Sequence, residues 1–420
     1  MSSLHYVPEF CGNVFEFNVL IATLPTDLSL AHNDCHLYLL VILLTIVFES
    51  LKAMTIQTPA QRLLSLDFMR GLIMVLLVLE STRLYDRLFE ATEGTGAQLF
   101  FLQFFHHPWN GLRFWDLIQP GFMFMAGTAM AYSLRRQEME GMSWGKSFVK
   151  TLKRSGWLFF WGVLDYAVRP HGLSFELWDV LTQLSFTTLV AFFIFRLPSM
   201  TQILISIGLL VLTEILYRFT NVPGFDQPFV DQHNFGNYMD LLLMNKINSG
   251  GWVAINCLPT AAHTIWGALA GKLLLSDAPE REKVKKLIIA GVAGLIIGYG
   301  MDFTITPIIK RIATSSFVFA SGGWCLLALS LFYWWIDIKN HKRNLQFFTV
   351  VGMNSLFIYL FIEIVASRWF NEYIGAITNG LMSTINMPVM LMGIITSLTI
   401  FALEWSMCRF LYEKRVFFKI

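Results

Sequence analysis

Ser316–Ile336 reads SFVFASGGWCLLALSLFYWWI, 21 residues without one charged side chain. A helix rises about 1.5 Å per residue, so such a run covers the roughly 30 Å of a bilayer's hydrocarbon core. Eight further stretches behave alike or nearly so: Asp116–Leu134, Phe148–Val168, Leu177–Leu197, Met200–Phe219, Val253–Leu275, Leu287–Phe303, Phe347–Ser367 and Pro388–Tyr412. A tenth, Phe68–Leu88, is apolar only as far as Leu79 and then carries Glu80, Arg83, Asp86 and Arg87. None alternates with period 2, as barrel strands would. The pattern predicts an all-α, polytopic transmembrane helix bundle of about ten spans.

Composition agrees. The 420 residues are 55% hydrophobic and 14% charged, with a mean hydropathy of +0.55, whereas a soluble domain carries about 25% charged residues. A net charge of +2 excludes the electrostatic footprint of a nucleic-acid binder. Five Cys without a CxxC pair exclude a disulfide scaffold and a zinc ribbon. With the residues before Phe68 inside, the inside segments hold most of the Lys and Arg, including Lys146, Lys150, Lys153, Arg154, Arg281, Lys283, Lys285 and Lys286. That bias places both flanks of the core in the cytoplasm.

Residues 1–55 read as an N-terminal extension and 56–420 as one transmembrane domain. Leu37–Phe48 is apolar but short for a span, and no basic n-region precedes it. Either it inserts as an eleventh, tilted helix, or translation begins at Met54; the second reading is preferred.

The outside segments are each too short for a soluble domain, so any chemistry belongs to the bundle near its outer face. The densest polar group is His106–Gly127, HHPWNGLRFWDLIQPGFMFMAG. An imidazole titrates near neutrality and can take and return a proton. Trp109 and Trp115 read first as an interfacial aromatic belt, and Asp116 as a helix-start carboxylate or a catalytic one. Adjacent His106 and His107 make a poor metal site, and His171, His233 and His263 are scattered, so no metal is expected. Intramembrane acids tend to be functional; here they are Glu80, Asp165, Glu214, Asp302, Glu363 and Glu404. Glu80, Lys310 and Arg311 share the outer side with His106. No P-loop, Rossmann glycine motif or G-x-S-x-G elbow occurs.

Four further stretches join the His106 segment in order: Arg62–Gly71 (RLLSLDFMRG), Pro259–Gly271 (PTAAHTIWGALAG), Pro307–Val318 (PIIKRIATSSFV) and Gly352–Tyr359 (GMNSLFIY). From Arg62 to the C-terminus, this ordered set resembles the membrane acetyltransferases related to heparan-α-glucosaminide N-acetyltransferase. The resemblance implies transfer of an acetyl group from acetyl-CoA, across the membrane, to a sugar amine or hydroxyl on the non-cytoplasmic side. It implies a catalytic set of His106, Asn110 and Asp116, with His106 as acetylated nucleophile or general base. Asn110 and Asn354 would supply oxyanion donors. Lys310, Arg311, Ser315 and Asn354 would hold the donor, and Asp67, Arg70 and Glu80 the acceptor. Glu80 stands where relatives carry Asn, and the outer segment Thr220–Trp252 lacks their D-P-E-G step. These departures point from heparan toward an envelope glycan or another small sugar; the chain's size and the lack of a luminal domain point to the bacterial inner membrane. The partners implied are an acyl-CoA, a glycan acceptor and the bilayer, with room for a homo-oligomer. The competing reading is a secondary transporter or flippase of a lipid-linked sugar, which would show repeats and discontinuous helices. A purely structural role would leave His106, Lys310 and Asn354 far apart.

Overall fold

A computed structural model describes residues 63–169 and 173–418; the expectations for Leu37–Phe48, Met54, Arg62 and His171 lie outside these residues. Among the described residues the chain is helical, with no strand beyond one isolated bridge. Helix occupies each of the ten segments singled out above. We number the helices α1 Leu64–Ser81, α2 Leu84–Ala91, α3 Gly96–Phe101, α4 Ile118–Met139, α5 Trp144–Ala167, α6 Val180–Ile194, α7 Ser199–Phe219 and α8 Phe235–Met244. There follow α9 Cys257–Leu275, α10 Glu280–Thr304, α11 Ser315–Phe332, α12 Leu345–Met353, α13 Ser355–Phe361, α14 Asn371–Ser383 and α15 Val389–Glu413.

Local chemistry sets the boundaries. Asp337 accepts from the backbone N–H groups of Leu64 and Ser65, both at 3.1 Å, and so satisfies two orphan donors at the start of α1. The same helix stops just after Glu80: Arg83 adopts φ +60° and the chain restarts as α2. Asp179 caps α6 through Leu181 N at 2.6 Å. Pro198, Pro279 and Pro388 precede α7, α10 and α15.

Among the described residues, four helical stretches are long and apolar enough to cross a membrane: Ser199–Phe219, Glu280–Thr304, Ser315–Ile338 and Val389–Glu413. A fifth arises if Leu345–Met353 and Ser355–Ser383, bent by 72°, form one span. The expected count of ten is thus met by length and composition at only four or five, and the reason is physical. α1 carries Asp67, Arg70 and Glu80, and α5 carries Lys146, Lys150, Lys153, Arg154 and Asp165. α4 and α9 carry polar residues turned toward protein, including the buried Thr128, Gln137, Thr260, His263 and Thr264. A helix enclosed by other helices need not be as apolar as one that meets lipid.

Burial separates the two kinds. Only 22%, 17% and 22% of the apolar windows of α7, α10 and α15 are buried, against 61% for the stretch that begins α11. α4 and α9 lie together at the centre. A Cβ on Gly127 would fall 1.9 Å from Thr264 O, and one on Gly267 would fall 1.9 Å from Phe124 O. Thr128 Oγ1 donates to Gly267 O at 3.0 Å across the contact. Close backbone approach through small residues is how helices associate where no water drives them together.

Candidate active site

The 106–117 segment feeds α4 through a 3₁₀ turn, Phe114–Leu117, and is clamped to the loop between α10 and α11. Asn110 pairs with Ile309 as an isolated antiparallel bridge, and Gly111 N donates to Ile308 O at 2.8 Å. Gly111 is required here: its φ is +139°, and a Cβ would meet His107 Nε2 at 2.6 Å. Trp109 Nε1 donates to Phe229 O at 2.7 Å, tying the same segment to the outer loop 220–252. Trp115 is buried and donates to Glu80 Oε1 at 3.0 Å. Both indoles therefore also anchor protein to protein, since each N–H has an internal acceptor.

This clamp brings Lys310 to His106 from 204 positions away. Lys310 Nζ lies 3.0 Å from His106 Nδ1, and Asp116 Oδ1 lies 2.9 Å from the same nitrogen. Lys310 Nζ is 3.7 Å from Asp116 Oδ1. The other carboxylate oxygen accepts from the backbone N–H groups of Arg113 at 2.9 Å and His107 at 3.2 Å, which fixes Asp116 before any ligand arrives. Nδ1 can donate to Asp116 or accept from Lys310, but not both at once. When it donates to Asp116, the lone pair of Nε2 is left free, and Nε2 has no hydrogen-bond partner among the described residues. Burial and the neighbouring Lys310 charge push the His106 pKa below its ordinary value against the opposing pull of Asp116. Burial also brings Lys310 down to about 8, with Asp116 and Glu80 opposing.

The side chain of His106 keeps 37% of its surface open and lies on the wall of a cavity of about 300 Å³. Lys310, Trp252, Trp115, Glu80 and Gln119 share that wall; Tyr166, Arg169, Trp178, Asp179, Tyr359 and Glu363 face them, with apolar side chains such as Phe122 between. Lys310 Nζ sits 5.1 Å from the centre of the Trp252 ring, and His106 meets the same ring edge-on at 5.8 Å. On the facing side, Tyr359 donates to Asp179 Oδ2 at 2.8 Å. Arg169 pairs with Asp165 at 2.9 Å and approaches Glu363 at 4.0 Å.

The structure thus gathers His106, Asp116, Lys310 and Glu80. It does not gather the rest of the expected set. Asn354 is fully buried; its Nδ2 donates to Val416 O at 3.2 Å and its Oδ1 accepts from Phe418 N at 3.0 Å. Both polar atoms hold the C-terminal tail, so Asn354 is neither an oxyanion donor nor a donor-binding residue at this cavity. Asn110 joins the clamp through its backbone, and its side chain lies off the cavity wall. Ser315 is buried, with Oγ toward Leu210 O at 3.5 Å. Arg311 is off the wall too; its carbonyl accepts from Asn256. Asp67 and Arg70 pair at 3.8 Å, and Arg70 lies ten residues before Glu80, about 15 Å away along α1. Neither reaches the cavity. His263 is buried against Ser321 Oγ at 2.9 Å. Of the facing wall, only Glu363 was marked by sequence, as an acid within an apolar run.

Comparison with protein-family models gives no match, and no curated protein matches the chain.

Proposed function

We propose that the chain is a transmembrane acyltransferase. It moves an acetyl group from acetyl-CoA to a sugar amine or hydroxyl presented on the non-cytoplasmic side of a bacterial inner membrane. The proposal includes a bundle of about ten spans with both flanks cytoplasmic. The observation that carries it is the His106 ring on a cavity wall, backed at Nδ1 by a buried carboxylate and with Nε2 unengaged. That is the arrangement of a general base oriented by an acid.

In this reading, Nε2 takes the proton from the acceptor nitrogen or oxygen as that atom attacks the thioester carbonyl. The C–S bond breaks, the acetyl group stays on the acceptor, and the leaving thiolate receives the proton from Nε2. Asp116 stabilises the imidazolium formed in between. The Lys310 ammonium stands on the same wall, where developing negative charge on the carbonyl oxygen would be met by a fixed cation. Polar side chains on the facing wall (Asp179, Tyr359, Glu363) supply acceptors for sugar hydroxyls or an amine.

The test is acetyl transfer from radiolabelled acetyl-CoA to amino-sugar acceptors by purified protein. His106→Ala should lower the rate by about 10²–10⁴-fold, the worth of a positioned base, with the melting temperature nearly unchanged. Transfer at the wild-type rate by that variant would remove His106 from the chemistry. The 72° break at Asn354 favours one other reading, a transporter with a discontinuous helix. Against it, both side-chain polar atoms of Asn354, at the break, are already engaged by Val416 and Phe418. Sugar uptake into sealed vesicles lacking acyl-CoA would decide for transport.

A further inference from the structure

A second cavity, of about 340 Å³, opens at the other end of α4, between Ala131 and Glu138, the C-terminal end of α9, the first turn of α5 and the α6–α7 turn. Its nearest α4 residue, Ala131, is twelve positions from Gln119 on the first cavity, about 18 Å along the helix. This is the Lys- and Arg-rich end of the bundle. Arg135, Arg196 and Lys272 are on its wall.

Two of these cations are held ready. The Arg196 guanidinium lies 4.3 Å from the centre of the Trp144 ring. The Lys272 ammonium lies 4.1 Å from the centre of the Phe195 ring and donates to Phe195 O. Trp144 is itself stacked on the buried Phe192 at 4.2 Å, so its ring is a fixed platform. Stacking orders a cation while leaving its edge N–H groups free to donate. Neither Arg196 nor Lys272 has a carboxylate partner among the described residues. Glu138, the acid on this wall, is already engaged by Arg135 at 3.0 Å. Three cations against one carboxylate leave the cavity wall with a charge of about +2, an open positive site for an anion.

We propose that this cavity binds a phosphate-bearing anion seated on Arg196 and Lys272. A guanidinium offers a flat pair of donors to two phosphate oxygens, and the ammonium adds a point charge to a third. The surroundings favour an amphiphile as the bearer. Leu134, Leu275 and Phe195 line the cavity, and Phe193, Leu197 and Met200 nearby are 64%, 39% and 66% exposed. Anionic lipid headgroups at a basic, membrane-facing cleft satisfy both requirements. This inference is independent of the acyl-transfer reading, because it involves neither His106 nor its cavity.

The test uses the full chain, purified in a neutral maltoside detergent, stripped of lipid and titrated calorimetrically. Dioctanoyl phosphatidylglycerol should bind at least about tenfold more tightly than the zwitterionic phosphatidylcholine. R196Q/K272Q should weaken phosphatidylglycerol binding about tenfold or more, the loss of one charge-assisted hydrogen bond or better. E138Q should tighten it, since a negative charge leaves the wall. Competition by pyrophosphate would show that the phosphate itself is what is read; its failure, with phosphatidylglycerol still bound, would assign the site to lipid. R196Q alone alters an exposed side chain and keeps the comparison valid if the double variant does not fold. Equal affinity for the two lipids, or unchanged affinity in R196Q, overturns the proposal.

Discussion

The two walls of the His106 cavity are built differently. On one, His106, Asp116 and Lys310 come from loops, and each is fixed by backbone: Asp116 by two N–H groups, Lys310 and His106 by the pairing of 110–111 with 308–309. On the other, Asp179, Tyr359, Glu363 and Arg169 stand at or near the ends of helices and hold one another through side chains. The first is a rigid constellation around one nitrogen. The second is a polar network of side chains, anchored to backbone at Asp179 through Leu181 N. Rigid placement suits a proton-transfer group, which loses rate when moved by an ångström; a wall of several side-chain donors and acceptors suits an acceptor with several hydroxyls. Under the proposed acyl transfer, the contrast would place chemistry on one wall and recognition on the other, and substitutions on each should then move different kinetic parameters.

The largest expected effect is that of Asp116→Asn. The shape is kept, but the amide cannot stabilise an imidazolium and can present N–H where Nδ1 needs an acceptor. We expect kcat to fall about 10³-fold or more, with little change in acceptor KM. A drop confined to KM would mean that the loop wall binds rather than reacts. Next comes Lys310→Met. Its charge helps hold the His106 pKa below the ordinary value, and a base works only when unprotonated. Wild-type activity should therefore fall, as pH is lowered, only below about 6.5, the ordinary His value. Removing the Lys310 charge should raise the His106 pKa and move that acid limb to higher pH. The competing donor to Nδ1 is lost as well, so the tautomer with Nε2 free is favoured. An acid limb that stays in place, measured as kcat/KM from pH 5 to 9, would break the electrical link between the two side chains.

How much of this was legible in sequence follows the same division. The loop wall announced itself: a His, an Asp ten positions later and a Lys after a proline are polar groups at the ends of apolar runs. The helices were legible as runs of Leu, Phe and Val. Their exposure to lipid was not, because hydropathy averages a helix over all its faces. α4 and α9 read as ordinary spans, yet they are the centre of the bundle, recognisable only by Gly127 and Gly267 meeting the opposite backbone. Asn354 entered the candidate set through the family resemblance, and only the folded chain shows that Val416 and Phe418 engage its polar atoms. The facing wall was the least legible. It depends on how α5, α6 and α13 are rotated about their axes, and Tyr359 lies 180 residues from the carboxylate that it meets.

Tyr359→Phe therefore gives the finest test of the contrast, with the smallest expected effect. The change removes one hydroxyl and leaves the ring. Asp179 Oδ2 loses its donor, while Oδ1 still caps α6 through Leu181 N, so the helix should be retained. A neutral hydrogen bond contributes about 1 kcal/mol, or roughly fivefold in an equilibrium constant. If the wall serves recognition, the acceptor KM should rise by about that factor. kcat and the acid limb should not move, since Tyr359 touches neither His106 nor its two partners. A shifted acid limb in Tyr359→Phe would show that the carboxylates of the far wall set the protonation of His106 across the cavity. The two walls would then act as one electrostatic unit, and the division between chemistry and recognition would have to be abandoned.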